Sequence, residues 1–237
     1  AQSGASEILG LELSGEVIEA GANVDRFGPG DRVYGLSGGG GYGELAAFHQ
    51  DLAMRIPESW DFATAASIPE VFFTSNTALR TLGSLQAGER VLVHAGGSGI
   101  GISAIQIAKL VGAEVLITAG SATKCERAAD LGADVTINYR EQDFAEAVRE
   151  LTLDGVDLIL DVVGADYWQR NLDSLARGGR LVLVGLMGGT RSEINLGQIL
   201  SRRLQVFGTV MRSRSLEDRV QITRDYIEFL QPALVDG

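Results

Sequence analysis

The sequence predicts an α/β protein: a doubly wound parallel sheet preceded by a smaller, mostly antiparallel β region. Three observations carry this. After Gly88, short aliphatic runs alternate with amphipathic stretches, the pattern of strand-helix units. Ahead of Asp61, β-rich pieces are separated by the turn-forming stretches GANVDRFGPGD and SGGGGYG. A glycine-rich junction, His94-Ala95-Gly96-Gly97-Ser98-Gly99-Ile100-Gly101, joins the first aliphatic run directly to a helical stretch.

The early β pieces fall at residues 11–20, 32–35 and 44–48, with Gly28-Pro29-Gly30-Asp31 as a strong turn between the first two. From Asp61 the pattern turns helical. Six strands are then expected at residues 90–95, 114–119, 135–139, 156–163, 180–185 and 205–210. Each is continuous in β-branched and aliphatic residues, as a sheet buried on both faces requires. Between them, Ser121 can cap a helix that Gly132 ends, a helix over 167–177 stops at Gly178-Gly179, and a last helix covers 216–230.

Composition narrows the partners. With 45% hydrophobic residues in 237, the chain has material for a large core and is too apolar for global disorder. A net charge of −11 disfavours nucleic-acid backbones and anionic membranes, and the densest basic pair, Arg202-Arg203, lies in an otherwise neutral stretch. No nucleic-acid or membrane partner is expected. A single cysteine, Cys125, cannot form an internal disulfide or a cysteine metal cluster, which fits a reducing compartment and a cytoplasmic location. The apolar runs are too short to span a bilayer, and the first residues lack the basic and apolar regions of a signal peptide.

The glycine junction is the most informative stretch. At a strand-to-helix turn it aims backbone N–H groups and the positive helix end at a diphosphate, and bulky side chains would block the approach. Gly96 and Gly101 occupy the first and third glycine positions of the dinucleotide fingerprint, and Ser98 replaces the second. The junction as a whole is therefore the expected phosphate cradle. The second strand ends in Thr118-Ala119-Gly120-Ser121-Ala122-Thr123-Lys124, with no carboxylate before Glu126. An NAD site usually offers an acidic residue there. Gly120, Ser121 and Lys124 instead suit a 2′-phosphate, so NADP(H) is the expected cofactor, although Lys124 also reads as an ordinary exposed lysine. Tyr139, ending the third strand, either packs beside the adenosine ribose or is a plain strand-end aromatic.

The blocks ILGLELSGEV, FGPGDRVYGL, GGGYGELAAF, AASIPEVFFTSNTAL, AGERVLVHAGGSGIGISAIQIAKLVGAEV, LGADVTINYREQDF, VDLILDVVGADYW and GRLVLVGLMGG resemble, in order over residues 8–190, the quinone-reductase branch of the medium-chain dehydrogenase/reductase superfamily, which includes zeta-crystallin-like proteins. GLMGG followed by MRSRS is similar to the tumour-suppressor-induced quinone oxidoreductase subgroup. The resemblance implies a partial GroES-like catalytic domain over 1–64, an NADP-binding Rossmann domain over 65–215, and a helix over 216–237 returning toward the catalytic domain. By the same comparison the chain looks truncated at both ends.

The resemblance further implies NADPH-dependent reduction of a quinone or conjugated enone by hydride transfer, with enoyl-thioester reduction or non-catalytic dinucleotide binding as alternatives. NADPH would bind between the two domains, and the protein would be a homodimer pairing through residues 205–210. Thr74 would approach the nicotinamide, Gly97, Ser98, Gly99 and Ile100 would carry the diphosphate, and Val163, Gly164, Leu186, Met187, Phe207, Gly208 and Thr209 would lie along the nicotinamide and its ribose. Leu186, Met187 and Phe207 equally fit core packing. Zinc-dependent relatives carry Gly-His-Glu where this chain has Gly10-Leu11-Glu12, and Leu11 cannot coordinate a metal. No metal site and no catalytic residue are assigned, and His49 and His94 are expected to be structural.

Overall fold

Three short strands, β1 (Glu12–Glu16), β2 (Arg32–Leu36) and β3 (Ala53–Arg55), form an antiparallel sheet in that order in the computed structural model, which describes residues 7–236. Glu12 stands opposite Leu36, and Tyr34 opposite Met54. The turn between β1 and β2 is closed by the Asp31 carboxylate, which accepts from the Gly28 N–H at 2.9 Å. The strand expected at 44–48 is not one. Residues 44–47 are exposed, whereas Ala53 and Met54 are buried, so pairing with β2 goes to the segment whose side chains enter the core.

Helix α1 (Phe62–Ala66) is capped by Asp61, which accepts from Thr64 N–H at 2.7 Å. Helix α2 (Pro69–Asn76) runs on into a widened π-helical stretch, Thr77–Leu82, which buries Ala78 and Leu79 completely. Contacts divide the chain into two compact units. One is built on the residues up to Phe73 and from Val210 onward, the other on Thr74–Thr209.

The second unit is a six-stranded parallel sheet. Its strands β4 (Arg90–Val93), β5 (Glu114–Ala119), β6 (Val135–Asn138), β7 (Val156–Asp161), β8 (Leu175–Leu183) and β9 (Gln205–Gly208) lie in the order β6-β5-β4-β7-β8-β9. Growth reverses between β4 and β7, the topological switch of a doubly wound sheet. Helices α3 (Gly99–Val111), α4 (Ala122–Asp130), α5 (Phe144–Leu151), α6 (Trp168–Ser174) and α7 (Leu196–Arg202) connect the strands. Leu92, Leu116, Ile159 and Leu181 from the sheet meet Phe144, Val148 and Leu172 from the helices in one buried cluster.

Two expectations need correction here. The helix over 167–177 ends at Ser174, and β8 starts at Leu175 rather than 180, because buried Leu175 pairs with Val156 and the register then slips past Gly178, whose φ is 81°. Strand β7 ends at Asp161 rather than 163, because the Asp161 carboxylate accepts from Val163 and Gly164 N–H and turns the chain. In the first unit, α8 (Leu216–Phe229) and α9 (Gln231–Asp236) pack on the small sheet. There the Tyr226 and Tyr34 hydroxyls lie 3.2 Å apart, and Gln231 donates to Tyr34 at 3.1 Å. Among the described residues, no helix is long and apolar enough to cross a membrane.

One buried polar chain runs through the top of the large sheet. Thr118, His94, Asn171 and Asp161 are all fully buried. His94 Nδ1 lies 3.0 Å from Thr118 Oγ1 and its Nε2 2.7 Å from Asn171 Oδ1, while Asn171 Nδ2 donates to Asp161 Oδ2 at 3.0 Å. Burial holds His94 down at about 4 and pushes Asp161 up to about 6.

These two shifts oppose one another on acidification. His94 contributes stability that is complete above its ordinary 6.5 and lost as pH falls through about 4. The Asp161 contribution is complete below its ordinary 3.8 and lost as pH rises through about 6. Asp161→Asn should therefore leave the histidine unbalanced. Urea unfolding between pH 7 and 4 is expected to show the variant losing about 3 kcal/mol more than wild type on acidification. A constant difference between the two proteins would refute this.

Candidate functional site

The carboxyl ends of the six parallel strands lie together, since the register sets Val93 beside Ile117 and Leu160, Ala119 beside Asn138, and Leu183 beside both Asp161 and Gly208. Apart from Thr74 on α2, the sequence-predicted residues lie at these strand ends or in the loops and first helical turns that follow them.

The loop after β4 begins at Ala95, which adopts φ 55°. Its tightest point is Gly101. A Cβ there would stand 2.4 Å from the Ala95 carbonyl oxygen and 2.5 Å from Gly96 Cα, so only glycine lets the helix start so close to the strand. Ser98 caps α3, accepting from Gly101 N–H at 3.1 Å, and its carbonyl takes Ile102 N–H. Gly99 and Ile100 hold the first two helical positions, where N–H groups have no acceptor within the helix. Behind them, Ser75 Oγ on α2 lies 2.7 Å from Ser103 Oγ and donates to the Ile100 carbonyl at 3.2 Å, which sets buried Thr74's helix against the first turn of α3.

At the end of β5, Ser121 caps α4 by accepting from Lys124 N–H at 3.4 Å. The Lys124 methylene stem crosses the loop after β4, with Cγ and Cδ 3.1 Å from where a Gly97 Cβ would stand. Tyr139, 44% exposed, puts its hydroxyl over Gly120, 2.5 Å from the corresponding point. Gly97, Ser98, Gly120, Ser121, Lys124 and Tyr139 thus cluster around the ends of β4, β5 and β6.

A second group forms beyond β7. Gly164 adopts φ 83° and ψ −124°, and a Cβ there would meet Leu186 at 2.7 Å. Met187 N–H donates to Val162 O at 3.2 Å and Gly188 N–H to Val163 O at 2.7 Å, so residues 163–164 and 186–188 form one double loop. Leu186 is 48% and Met187 76% exposed, so neither packs in the core. Phe207 and Gly208 close β9 beside Val182 and Leu183, and Thr209 N–H donates to Leu183 O at 3.0 Å.

Asp161 and Asn171 do not stand out in the sequence, and His94 is expected there only as a structural residue. One signal was available. Asp161 is an acidic residue closing the otherwise apolar end of VDLILD, a place where a buried charge needs partners.

The donors needed for zinc are missing from the matching positions. Leu11 offers no ligand atom, and the Glu12 carboxylate accepts the Glu70 N–H at 2.9 Å. Among the described residues, no three His, Cys, Asp or Glu side chains converge. A zinc ion does not fit these residues.

Comparison with known proteins agrees with this architecture. Residues 99–230 match the family described as zinc-binding dehydrogenase, and residues 3–58 match the alcohol dehydrogenase GroES-like domain. Quinone oxidoreductase-like protein 2 of Bos taurus is 36% identical over 201 residues, which are 84% of this chain; the chain spans 58% of that protein's length. Escherichia coli quinone oxidoreductase, solved in complex with NADPH, superposes with a TM-score of 0.85 at 32% identity, covering 96% of this chain and 71% of the other. CurK enoyl reductase superposes at 0.83 and 30% identity, covering 97% and 68%. The small sheet is the GroES-like part and the six-stranded sheet the Rossmann-like part. The chain belongs to the medium-chain dehydrogenase/reductase superfamily, in its zinc-independent, quinone-oxidoreductase-like branch.

Proposed function

We propose that this chain carries the cofactor site of an NADPH-dependent oxidoreductase that reduces a quinone or a conjugated enone. The observation that carries the reading is the Lys124 stem lying across Gly97, which holds a cation beside the diphosphate loop where an NAD site usually has a carboxylate. The E. coli relative solved with NADPH supports it.

When bound, NADPH supplies a hydride from C4 of its nicotinamide. The residues of this chain bind and orient it. Gly97, Ser98, Gly99 and Ile100, at the positive end of α3, take the diphosphate. Gly120, Ser121 and Lys124 take the 2′-phosphate, where Ser121 accepts the Lys124 N–H and keeps its own hydroxyl hydrogen to donate. Tyr139 flanks the adenosine ribose. Val163, Gly164, Leu186, Met187, Phe207, Gly208, Thr209 and Thr74 serve the nicotinamide side, and the exposed Leu186 and Met187 side chains displace water there. Quinones and enones accept hydride into a conjugated system and a proton from solvent, so the reading assigns no acid or base residue.

A second reading, reduction of an enoyl thioester, is supported by the likeness to CurK enoyl reductase. We also propose a homodimer that pairs through the edge strand β9, whose Val206 is 38% exposed.

Parallel fluorescence titrations with NADPH and NADH test the cofactor reading. Wild type is expected to prefer NADPH, and Lys124→Ala to weaken NADPH about tenfold while leaving NADH within about twofold. Equal losses for both would remove Lys124 from the 2′-phosphate site. Oxidation of NADPH with small quinones, compared with a crotonyl thioester, separates the two substrate readings; turnover of the thioester alone would replace the first by the second.

A further inference from the structure

The buried chain of polar side chains connects the two halves of the site. We infer that Thr118, His94 and Asn171 are positioning residues that lock the diphosphate loop after β4 to the 163–164 turn after β7, so that both halves of the dinucleotide meet loops already in register. This rests on the reading that the site takes NADPH.

The direction of each hydrogen bond is set by its neighbours. Asp161 can only accept when ionised, and it takes Val163 N–H at 2.6 Å, Gly164 N–H at 3.1 Å and Asn171 Nδ2 at 3.0 Å. The Asn171 nitrogen is therefore the donor to Asp161, and its Oδ1 accepts from His94 Nε2–H at 2.7 Å. His94 Nδ1 is then the acceptor for the Thr118 hydroxyl at 3.0 Å, and Thr118 Oγ1 in turn accepts the Ala95 N–H at 3.4 Å. The run begins at the first residue of one loop and ends at the amides of the other, with donors and acceptors matched at every step.

Aromatic side chains enclose the run at His94. The His94 ring meets Phe144 edge-on at 4.7 Å and Tyr167 at 4.8 Å, and Arg170 lies over both of those rings at 4.9 and 4.6 Å. Asn171 must donate to Asp161 and accept from His94 at once, which Leu, of similar volume, cannot do. A group of polar side chains with only a packing role would gain nothing from ending at two loop backbones; aliphatic side chains would fill the space at lower desolvation cost.

The test reads each variant at the far end of the run. Thr118→Val keeps the volume of Thr118 and removes the hydroxyl, four hydrogen bonds away from the Val163 amide. In the 237-residue chain without cofactor, amide exchange at Val163 and Gly164 is expected to quicken about tenfold, and Thr118→Ser to restore it. Asn171→Leu should quicken exchange at Ala95. Both Thr118→Val and Asn171→Leu should weaken NADPH about tenfold more than they weaken 2′,5′-ADP, which lacks the nicotinamide half.

Unchanged exchange at Val163 and Gly164 in folded Thr118→Val overturns the inference, as does an equal loss for NADPH and 2′,5′-ADP. If Asn171→Leu fails to fold, the Thr118 pair decides alone. Failure of wild type to bind NADPH would sink the proposed cofactor, and the exchange measurements would still decide whether the two loops are tied.

Discussion

Two stretches of backbone touch where α3 leaves the sheet, and much of the large unit is arranged around that contact. With no side chain at Gly101, the first turn of the helix rests on the Ala95 carbonyl and the Gly96 Cα. The contact forces Ala95 into a left-handed conformation, places Ser98 where its hydroxyl caps the helix, and points the free first-turn amides outward. Because β4 is central, with β5 on one side and β7 on the other, the segments bearing Lys124 and Gly164 are brought to either flank of those amides. A looser crossing would leave each loop intact and the three unrelated.

Much of this was legible in the sequence, for reasons that can be named. A strand buried on both faces must be aliphatic throughout, so all six strands were visible as runs, and the glycine junction announced a close approach because few other purposes need so many glycines at one strand-to-helix turn. Failures came where pairing, not composition, decides. Residues 44–48 read as a short β-rich piece between turns but have no buried face, and the ARGG stretch after Leu175 reads as a helix end although Leu175 already pairs with Val156. The polar run was illegible for another reason. His94 and Asn171 are separated by 77 positions, and each is ordinary until the fold sets it beside the other. Only Asp161, a carboxylate at the end of an apolar strand, carried a local warning.

The two ends of the parallel sheet are built for different work. At the amino ends, Arg180 on β8 makes paired hydrogen bonds to Glu89 at 2.7 and 2.8 Å and another to the Gly83 carbonyl at 2.8 Å, so charge is consumed in holding elements together. At the carboxyl ends, charge and apolar surface are left available: Lys124 is exposed, and Leu186 and Met187 stand in solvent. That asymmetry matches the general behaviour of open α/β sheets, which bind ligands outside the carboxyl ends of their strands.

The widened stretch Thr77–Leu82 carries a consequence for the tolerance of this chain to changes in length. Each residue of an ordinary helix advances the side-chain direction by roughly 100°. Deleting one residue between Asn76 and Gly83 would restore regular winding at the cost of swinging Leu79 away from the interior, where it is now wholly enclosed. An insertion would dislodge the Gly83 carbonyl from its arginine. Spacing here is held from both sides, so this stretch should accept changes of residue type far more readily than changes of residue number.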